Sequence, residues 1–305
     1  MSRPPLVVLA GPTASGKSAL AMALAEHLPL TLVCADSRTV YRELDIGTAK
    51  PTRGDRARVP HELLDVADPT ETYTAARFRD DARAAIATIR DAGRIPLVVG
   101  GTGFYIRALT GDLSIPEVPP SPDLRAELER LEHPHAELEK VDPVTAARLH
   151  PNDRFRIIRA LEVQRVLGRP LSEAATRVEA PHRTLTWALA PARDVLESRI
   201  RSRLVAMMAG GFLEEVVALR ERHGADLPLL GTLGYRELGD WLDGRCTREA
   251  ALEAIAIHTR QFARRQVTWF RREPVDSWLE DVPTGPDLER MVARIRAHVD
   301  ESRLP

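Results

Sequence analysis

Eight residues near the N-terminus, 11–18, have the composition and spacing of a phosphate-binding loop. They form the pattern G-x-x-x-x-G-K-S, after the apolar run 6–10 and before an alanine-rich segment that predicts a helix. Glycines let successive backbone N–H groups point at an anion, and the helix N-terminus adds its dipole. In this pattern Lys17 supplies a cation and the Ser18 hydroxyl can bind Mg²⁺. The predicted phosphate-binding residues are Gly11, Pro12, Thr13, Ala14, Ser15, Gly16, Lys17 and Ser18.

The loop by itself does not specify which phosphate compound it binds. The pattern G-x-G-x-x-G is absent from this turn, which excludes a dinucleotide fingerprint there. The frequency of such loops alone would favour ATP. However, the third predicted strand, residues 95–99, lacks the terminal aspartate that holds Mg²⁺ in hydrolytic enzymes with this loop. The loop can therefore hold a pyrophosphate without any nucleotide attached.

Asp36 follows the second predicted strand, residues 30–35. Ligands of open parallel sheets bind outside the carboxyl ends of the strands. If the first two strands are neighbours, we expect Asp36 to face the same crevice as the phosphate loop. Its carboxylate could bind a metal, accept a proton from a nucleophile or cap the following turn, and its position favours a functional role.

A second glycine cluster, residues 100–103, ends the third predicted strand and opens a helix. These glycines could let a ligand approach the backbone closely. Tight packing of the strand against the helix is an equally good explanation, and the sequence leaves both open.

The segment 258–272 contains five arginines and no acidic residue, within a chain whose charges otherwise balance. A helical period places Arg260, Arg264 and Arg271 on one face and Arg265 and Arg272 on an adjoining one. Arginine faces are usually solvated or paired with acids, but this segment has no acid of its own. We therefore expect the stripe to bind a polyanion, and the aromatic residues of the segment to include core contacts.

The periodicity predicts an α/β fold with a parallel sheet of the P-loop type. Buried strands are expected at 6–10, 30–35, 95–99 and 184–189, and a helix at 74–92. Four prolines between positions 116 and 122 form a boundary, and the helical patterns after it predict an insertion over 116–182. The core then comprises 1–115 and 183–305, with a helical C-terminal region.

Composition limits the classes of protein that fit. The 305 residues are 44% hydrophobic and 29% charged with a formal net charge of −1, so a nucleic-acid surface would have to be a local patch. Two cysteines are too few for a disulfide framework, and we expect Cys34 to be a small core residue. The sequence contains no recognisable signal peptide or membrane-spanning run. We therefore expect a cytoplasmic protein.

Taken together, the motifs resemble those of the tRNA dimethylallyltransferase (tRNA isopentenyltransferase) family. The resemblance extends from residue 11 to 271. Taken singly, only the phosphate loop is a strong signal, but the motifs in this order are together highly specific. Departures from the family pattern are Thr39 in place of glutamine, Phe155 in place of a polar residue and Arg264 in place of lysine. The matching segments are the phosphate loop, Asp36-Ser37 with Tyr41, 45–51, 100–103 with Tyr105, 151–153 with Arg156, 159–162, 234–236, 259–261 and 266–269.

The resemblance implies transfer of a dimethylallyl group from dimethylallyl diphosphate to N6 of adenosine 37, beside the anticodon of tRNA. It implies Mg²⁺ on Ser18, tRNA and the diphosphate as partners, and a movable insertion that contacts tRNA. The sequence leaves the oligomeric state open, with a monomer as the default expectation. The catalytic residues would be Asp36, Thr102, Arg125 and Lys17. The tRNA-binding residues would be Asp36, Ser37, Arg38, Thr39, Thr102, Arg125, Phe155, Arg156, Ile157, Ile158, Arg159, Gly231, Thr232, Leu233, Gly234, Tyr235, Arg236, Arg260, Gln261, Arg264 and Arg265.

Two other functions use the same loop. One is a small-molecule kinase in which Asp36 activates an acceptor hydroxyl and ATP fills the loop. The other is a nucleotide-switched binding protein without turnover. The arginine stripe argues against a small acceptor, and no guanine-reading segment is visible in the sequence.

Overall fold

The computed structural model describes residues 3–111, 116, 118, 121–175 and 179–300. The chain divides into two compact units, one formed by residues 1–110 and 182–305 and the other by residues 111–181. The helical insertion predicted over 116–182 occupies most of the second unit. Each unit has its own hydrophobic core.

Six parallel strands form one sheet in the first unit. In chain order they are β1 Pro5–Ala10, β2 Leu30–Cys34, β3 His61–Glu62, β4 Ile95–Gly100, β5 Arg183–Leu189 and β6 Ser277–Leu279. The strand order in the sheet is β3-β2-β4-β1-β5-β6, and every neighbouring pair is parallel. The predicted α/β class with a parallel sheet is therefore confirmed.

Fourteen α-helices accompany the strands within the described residues. They are α1 Lys17–Ala25, α2 Arg53–Arg58, α3 Ala75–Asp91, α4 Gly103–Thr110, α5 Pro122–Glu129, α6 Pro134–Val141, α7 Pro143–Ala146, α8 Arg154–Leu167, α9 Leu171–Ala174, α10 Arg193–Ala209, α11 Phe212–His223, α12 Tyr235–Leu242, α13 Arg248–Phe270 and α14 Gly285–Asp300, with a 3₁₀ helix at Pro228–Gly231. None of the helices in the described part of the chain has the length and apolar character needed to cross a membrane.

The strands are continuous apolar runs because both faces of the sheet are covered. Val8, Val33 and Val98 point to one face and pack in a core with residues of α3 and α4. Val7 and Leu97 point to the other face, against α1 and α14. Successive residues of a strand alternate between the faces, so β1 contributes to both cores.

The strand order decides which loops meet at the carboxyl edge of the sheet. β1 and β2 are not neighbours, because β4 lies between them. Ala10 pairs with Gly100, and Cys34 pairs with Val99. The loops after β1, β4 and β2 therefore follow one another along this edge, and the second glycine cluster lies between the phosphate loop and Asp36.

Helices α5 to α9 form the insertion around a small core of its own. Leu128, Leu138, Ile157 and Ile158 are buried together there. The buried Asp142 accepts hydrogen bonds from the backbone N–H groups of Thr145 and Ser172, at 3.0 and 2.9 Å. The carboxylate thus starts α7 and joins it to α9.

Candidate active site

The phosphate loop joins β1 to α1, as the sequence predicted. Gly11 and Gly16 have φ values of 145° and 99°, and Ala14 also has a positive φ of 61°. A Cβ atom on Gly11 would lie 2.7 Å from the carbonyl oxygen of Leu189, so the loop needs glycine there. The loop packs against the end of β5 and leads directly into the N-terminus of α1, where backbone N–H groups have no partner within the helix.

Lys17 lies over its own loop and donates a hydrogen bond to the carbonyl oxygen of Pro12, at 2.6 Å. Burial of its ammonium group lowers the pKa of Lys17 to about 8, against the opposing effect of the Asp36 carboxylate and with a further lowering by the Arg203 guanidinium. Nearby, the Ser15 hydroxyl is fully buried and has no hydrogen-bond partner among the described residues. The loop thus holds a cation, together with a buried hydroxyl that makes no hydrogen bond to the described residues.

Two arginines of α10 contact the phosphate loop, and the sequence analysis did not include either of them. Arg203 donates a hydrogen bond to the Thr13 hydroxyl at 2.5 Å, and Arg199 donates to the carbonyl oxygen of Ser15 at 3.2 Å. Their spacing of four residues places them on one face of the helix. That spacing is the one signal in the sequence that could have found them. Arg203 adds a positive charge to an anion site, whereas the guanidinium of Arg199 is also paired with Asp281 at 2.8 Å.

Asp36 lies at the carboxyl end of β2, beyond the end of β4. Its Oδ1 accepts hydrogen bonds from the backbone N–H groups of Arg38, at 2.8 Å, and Thr39, at 3.4 Å. Oδ2 has no hydrogen bond to any described residue. The carboxylate therefore caps the turn with one oxygen and leaves the other for a proton or a ligand. Capping of the turn and a functional role, which the sequence left as alternatives, can thus both apply to Asp36.

Thr102 ties the Asp36 turn to the second glycine cluster. Its hydroxyl accepts a hydrogen bond from the backbone N–H of Ser37 at 3.0 Å, and its own N–H donates to the carbonyl oxygen of Ala35 at 3.2 Å. A Cβ atom on Gly100 would lie 2.0 Å from the same Ala35 oxygen. The glycine cluster therefore serves the close packing of two loops, one of which carries the candidate proton acceptor.

Cys34, two residues before Asp36, belongs to the core. Burial, followed by the nearby Asp36 charge, raises the pKa of the Cys34 thiol to about 12. A thiol held protonated is a poor nucleophile. The expectation of a small core residue is confirmed.

Helix α13 meets this edge of the sheet with residues that the sequence analysis did not identify as part of the site. The side chain of Gln266 is buried and contacts both the phosphate loop and Gly101. Trp269, one turn further on, packs so closely on Gly103 that a Cβ atom there would lie 2.2 Å from Trp269 Cδ1. One side of α13 is therefore part of the site's framework.

The arginines of α13 are less uniform than the sequence suggested. Arg260 donates a hydrogen bond to Glu197 of α10 at 3.0 Å. This acid partner lies on another helix, so the segment's own sequence did not reveal it. Arg264 and Arg265 are exposed and form no ion pair with the described residues. Phe262 is 40% exposed, with the Arg265 guanidinium 5.9 Å from its ring centre, whereas Phe270 is buried. The exposed cationic surface thus centres on Arg264 and Arg265, next to the exposed Gln261.

The segment 231–236 exposes part of its length. Gly231 and Arg236 are exposed, Thr232 and Leu233 are half-buried, and Gly234 is buried. Tyr235 is 1% exposed, and its hydroxyl donates to Glu215 Oε1 at 2.6 Å. The Tyr235 side chain is a core residue, because it fills space beside Phe212, so the tRNA contact predicted there does not involve an exposed side chain.

The matched segment 45–51 is held by internal contacts. Glu215 accepts hydrogen bonds from the backbone N–H groups of Asp45, Ile46 and Gly47, at 2.9, 2.7 and 3.0 Å. The ammonium group of Lys50 is buried and donates to the Tyr41 carbonyl oxygen at 2.7 Å and to Asp45 and Asp65, at 2.5 and 2.6 Å. These residues shape the loop that follows the Asp36 turn.

In the insertion, α8 begins with three exposed residues, 154–156, which are followed by two buried ones. Phe155 is 70% exposed, and the Arg125 guanidinium lies 4.9 Å from its ring centre. Arg156 pairs with Asp153 at 3.0 Å, and Arg159 donates to the Val118 carbonyl oxygen at 2.9 Å. The side chains of Ile157 and Ile158, where tRNA contacts were also predicted, are buried in the insertion core.

The site has few candidate metal ligands. No group of three or more His, Cys, Asp or Glu side chains with metal-binding geometry occurs among residues 3–111, 116, 118, 121–175 and 179–300. Ser18 is exposed in the first turn of α1. Mg²⁺ that is bound through substrate phosphates keeps several waters and needs one or two protein ligands. The residues present fit such a metal.

The parallel sheet and the glycine loop between β1 and α1 define an α/β protein of the P-loop class. A family model described as IPP transferase matches residues 39–273. The chain belongs to this family.

Relatives and solved structures agree on the family. A tRNA dimethylallyltransferase of Gloeobacter violaceus is 49% identical over 287 residues, which cover 93% of this chain and 95% of the relative. The crystal structure of a full-length tRNA isopentenylpyrophosphate transferase from Bacillus halodurans is 34% identical, with a TM-score of 0.73 and coverage of 98% of both chains. A eukaryotic dimethylallyltransferase, described as acting on tRNA, is 27% identical with a TM-score of 0.83 over 99% of this chain and 80% of that one. These matches support a prenyltransferase and do not support a kinase or a nucleotide switch.

Proposed function

We propose that this chain transfers a dimethylallyl group from dimethylallyl diphosphate to N6 of adenosine 37, next to the anticodon of tRNA, and releases pyrophosphate. The observation that carries the proposal is the arrangement at the carboxyl edge of the sheet. The phosphate loop, the Thr102 loop and the Asp36 turn follow one another there. The Gln266 side chain connects the first two, and the hydrogen bond from Ser37 to Thr102 connects the last two. One end of the site suits an anionic leaving group, and the other suits a proton acceptor.

The leaving group is the pyrophosphate. As the C1–O bond of the diphosphate breaks, negative charge accumulates on the departing oxygens. The loop N–H groups, Lys17, Arg199 and Arg203 are the groups that stabilise this charge. No water has to be activated, which agrees with the absence of an aspartate at the end of β4, where Gly100 stands.

The acceptor is a weak nucleophile, because the N6 lone pair of adenosine is delocalised into the ring. Asp36 orients the amine and accepts its proton as the N6–C1 bond forms, through the oxygen that the turn leaves without a partner. Thr102 holds the Asp36 turn through Ser37. A loop adenosine has to leave its stack to reach this site.

We propose Mg²⁺ as the metal ion that binds together with the diphosphate. Ser18 would hold it together with the diphosphate oxygens. When bound, it neutralises charge on the diphosphate. Lys17 and the two arginines of α10 act on the same oxygens through hydrogen bonds.

In this proposal, two sets of exposed or half-buried residues bind the anticodon stem-loop. In the first unit they are Arg236, Gln261, Arg264 and Arg265, with Gly231 beside them. In the insertion they are Phe155, Arg125, Arg156 and Arg159. Phosphate contacts position an RNA, while the exposed Phe155 ring offers a stacking surface. We further propose a cytoplasmic monomer, in keeping with the tRNA acceptor.

The test is a transfer assay. Purified protein, Mg²⁺, unmodified tRNA and labelled dimethylallyl diphosphate should give labelled tRNA, with the label at adenosine 37 after nuclease digestion. A tRNA with guanosine at this position is the matched control, because it lacks the exocyclic N6 amine and should stay unlabelled. Phosphate release from ATP without transfer of label would contradict the proposal.

A further inference from the structure

We propose that Gln266 is a positioning residue that sets the spacing between the phosphate loop and the Thr102 loop. Its side-chain Oε1 accepts a hydrogen bond from the backbone N–H of Thr13 at 2.9 Å, and its Nε2 donates to the carbonyl oxygen of Gly101 at 2.8 Å. A primary amide has one acceptor oxygen and one donor NH₂ group, so a single orientation satisfies both loops. This inference rests on the proposed function, because the two loops hold opposite ends of the reaction.

The contact is buried and closely packed. Gln266 is 7% exposed, so its amide has little access to water as an alternative partner. A Cβ atom on Gly101 would lie 2.4 Å from Gln266 Nε2 and 3.1 Å from the Gly11 carbonyl oxygen. The phosphate loop and the Thr102 loop therefore lie so close together around the Gln266 amide that there is no space for a side chain at position 101.

A continuous set of contacts connects the leaving-group site to the proton acceptor through this amide. Gln266 joins Thr13 to Gly101, and the next residue, Thr102, accepts the hydrogen bond of Ser37. Asp36 directly precedes Ser37. Displacement of Gln266 therefore changes the distance between the groups that receive the pyrophosphate and the group that receives the proton.

The chemical step depends on that distance because one bond breaks as the other forms. A misplacement of about 1 Å can cost roughly 10²-fold in rate. Gln266 does not touch the exposed arginine surface, because its side chain is on the buried side of α13. Loss of the amide should therefore lower the rate at saturating substrates and weaken pyrophosphate binding, while tRNA affinity stays the same.

Two substitutions test the amide in the full-length protein. Gln266→Met keeps the length of the side chain and removes both hydrogen bonds, whereas Gln266→Glu keeps an acceptor for Thr13 and removes the donor to Gly101. We expect single-turnover transfer to fall about 10²-fold in both variants, with the tRNA dissociation constant within about twofold of the wild type. Gln164→Met is the matched control, because Gln164 is half-buried in α8 and its side chain makes no hydrogen bond with the described residues. Its transfer rate should not change.

Gly101→Ala disturbs the same contact from the other side and serves if Gln266→Met does not fold. The transfer rate of Gly101→Ala should fall as well. In the double variant Gly101→Ala/Gln266→Ala the amide that obstructs the new methyl group is gone, so Gly101→Ala should cost less there, since coupled residues give non-additive effects. Binding of inorganic pyrophosphate with Mg²⁺, measured by calorimetry, should weaken in each Gln266 variant, and this test stays valid if the wild type transfers no prenyl group. Rates and pyrophosphate affinities within twofold of the wild type in all these variants would overturn the proposal.

Discussion

The guanidinium of Arg203 donates a hydrogen bond to the hydroxyl of Thr13, although the two residues are 190 positions apart in the chain. Burial lowers the pKa of Arg203, and the negative charge of Asp36 opposes that lowering. A charged guanidinium on the phosphate loop has a clear electrostatic use once an anion is bound. Helix α10 thus completes an anion site that the loop begins.

Arg203→Ala should weaken binding of the diphosphate substrate. Hydrogen bonds to charged groups contribute about 1.5–3 kcal/mol, which corresponds to a rise of roughly 10- to 100-fold in KM for dimethylallyl diphosphate. Steady-state kinetics at saturating tRNA measure this change. Arg193→Ala is the control, since Arg193 is exposed at the start of the same helix and forms no ion pair with the described residues. Equal KM values for the two variants would remove Arg203 from the anion site.

Asp36→Asn separates the two uses of the Asp36 carboxylate. The amide oxygen can still accept the hydrogen bonds of Arg38 and Thr39 that form the turn, but an amide does not accept the proton of N6. We expect the single-turnover rate to fall by roughly 10²–10⁴-fold, the usual contribution of a general base. The affinity for tRNA, measured by filter binding, should stay near that of the wild type. A normal single-turnover rate in this variant would mean that Asp36 serves the turn alone.

The substitution Arg264→Ala should reduce the salt dependence of tRNA binding by more than Arg260→Ala does. An arginine that neutralises one phosphate contributes about 0.7–0.9 to the slope of log K against log salt concentration. Arg264 has no acidic partner among the described residues, whereas Arg260 is already bound to Glu197. Slopes come from binding isotherms at several salt concentrations.

Glu197→Ala provides the control for that comparison. It frees the Arg260 guanidinium, so the effect of Arg260→Ala on the slope should increase in this background. If the two arginines change the slope equally in the wild type, the ion pair has no influence on RNA binding.

Binding of pyrophosphate should weaken as the pH rises through about 8. Burial lowers the pKa of Lys17 to about 8, so the ammonium form that attracts the anion prevails below this pH and the neutral amine above it. Well above that pH, affinity should fall by up to about tenfold per pH unit. Calorimetry between pH 6.5 and 9.5 measures the effect. Lys17→Arg, which stays charged throughout, controls for the titration of pyrophosphate itself, and equal pH profiles for both proteins would contradict the assignment.

The sequence by itself determined the parts of this protein that depend on neighbouring residues. Gly11 and Gly16 are required by local backbone conformations, and the apolar runs of β1, β2, β4 and β5 are required by burial on both faces. The phosphate loop, the parallel sheet and the position of Asp36 at a strand end could be predicted for that reason. The sequence predicted a helical insertion over 116–182 but did not predict its individual helices, such as the separate α5 and α6, the second of which begins at Pro134.

The tertiary structure alone decided which distant side chains meet. Placing β4 between β1 and β2 brought Thr102 between the phosphate loop and Asp36, and no local pattern specifies strand order. Arg203 and Gln266 reach Thr13 from 190 and 253 residues away, and Glu197 reaches Arg260 from another helix. Local propensity and periodicity contain no information on such contacts, because these depend on how whole helices pack against the sheet.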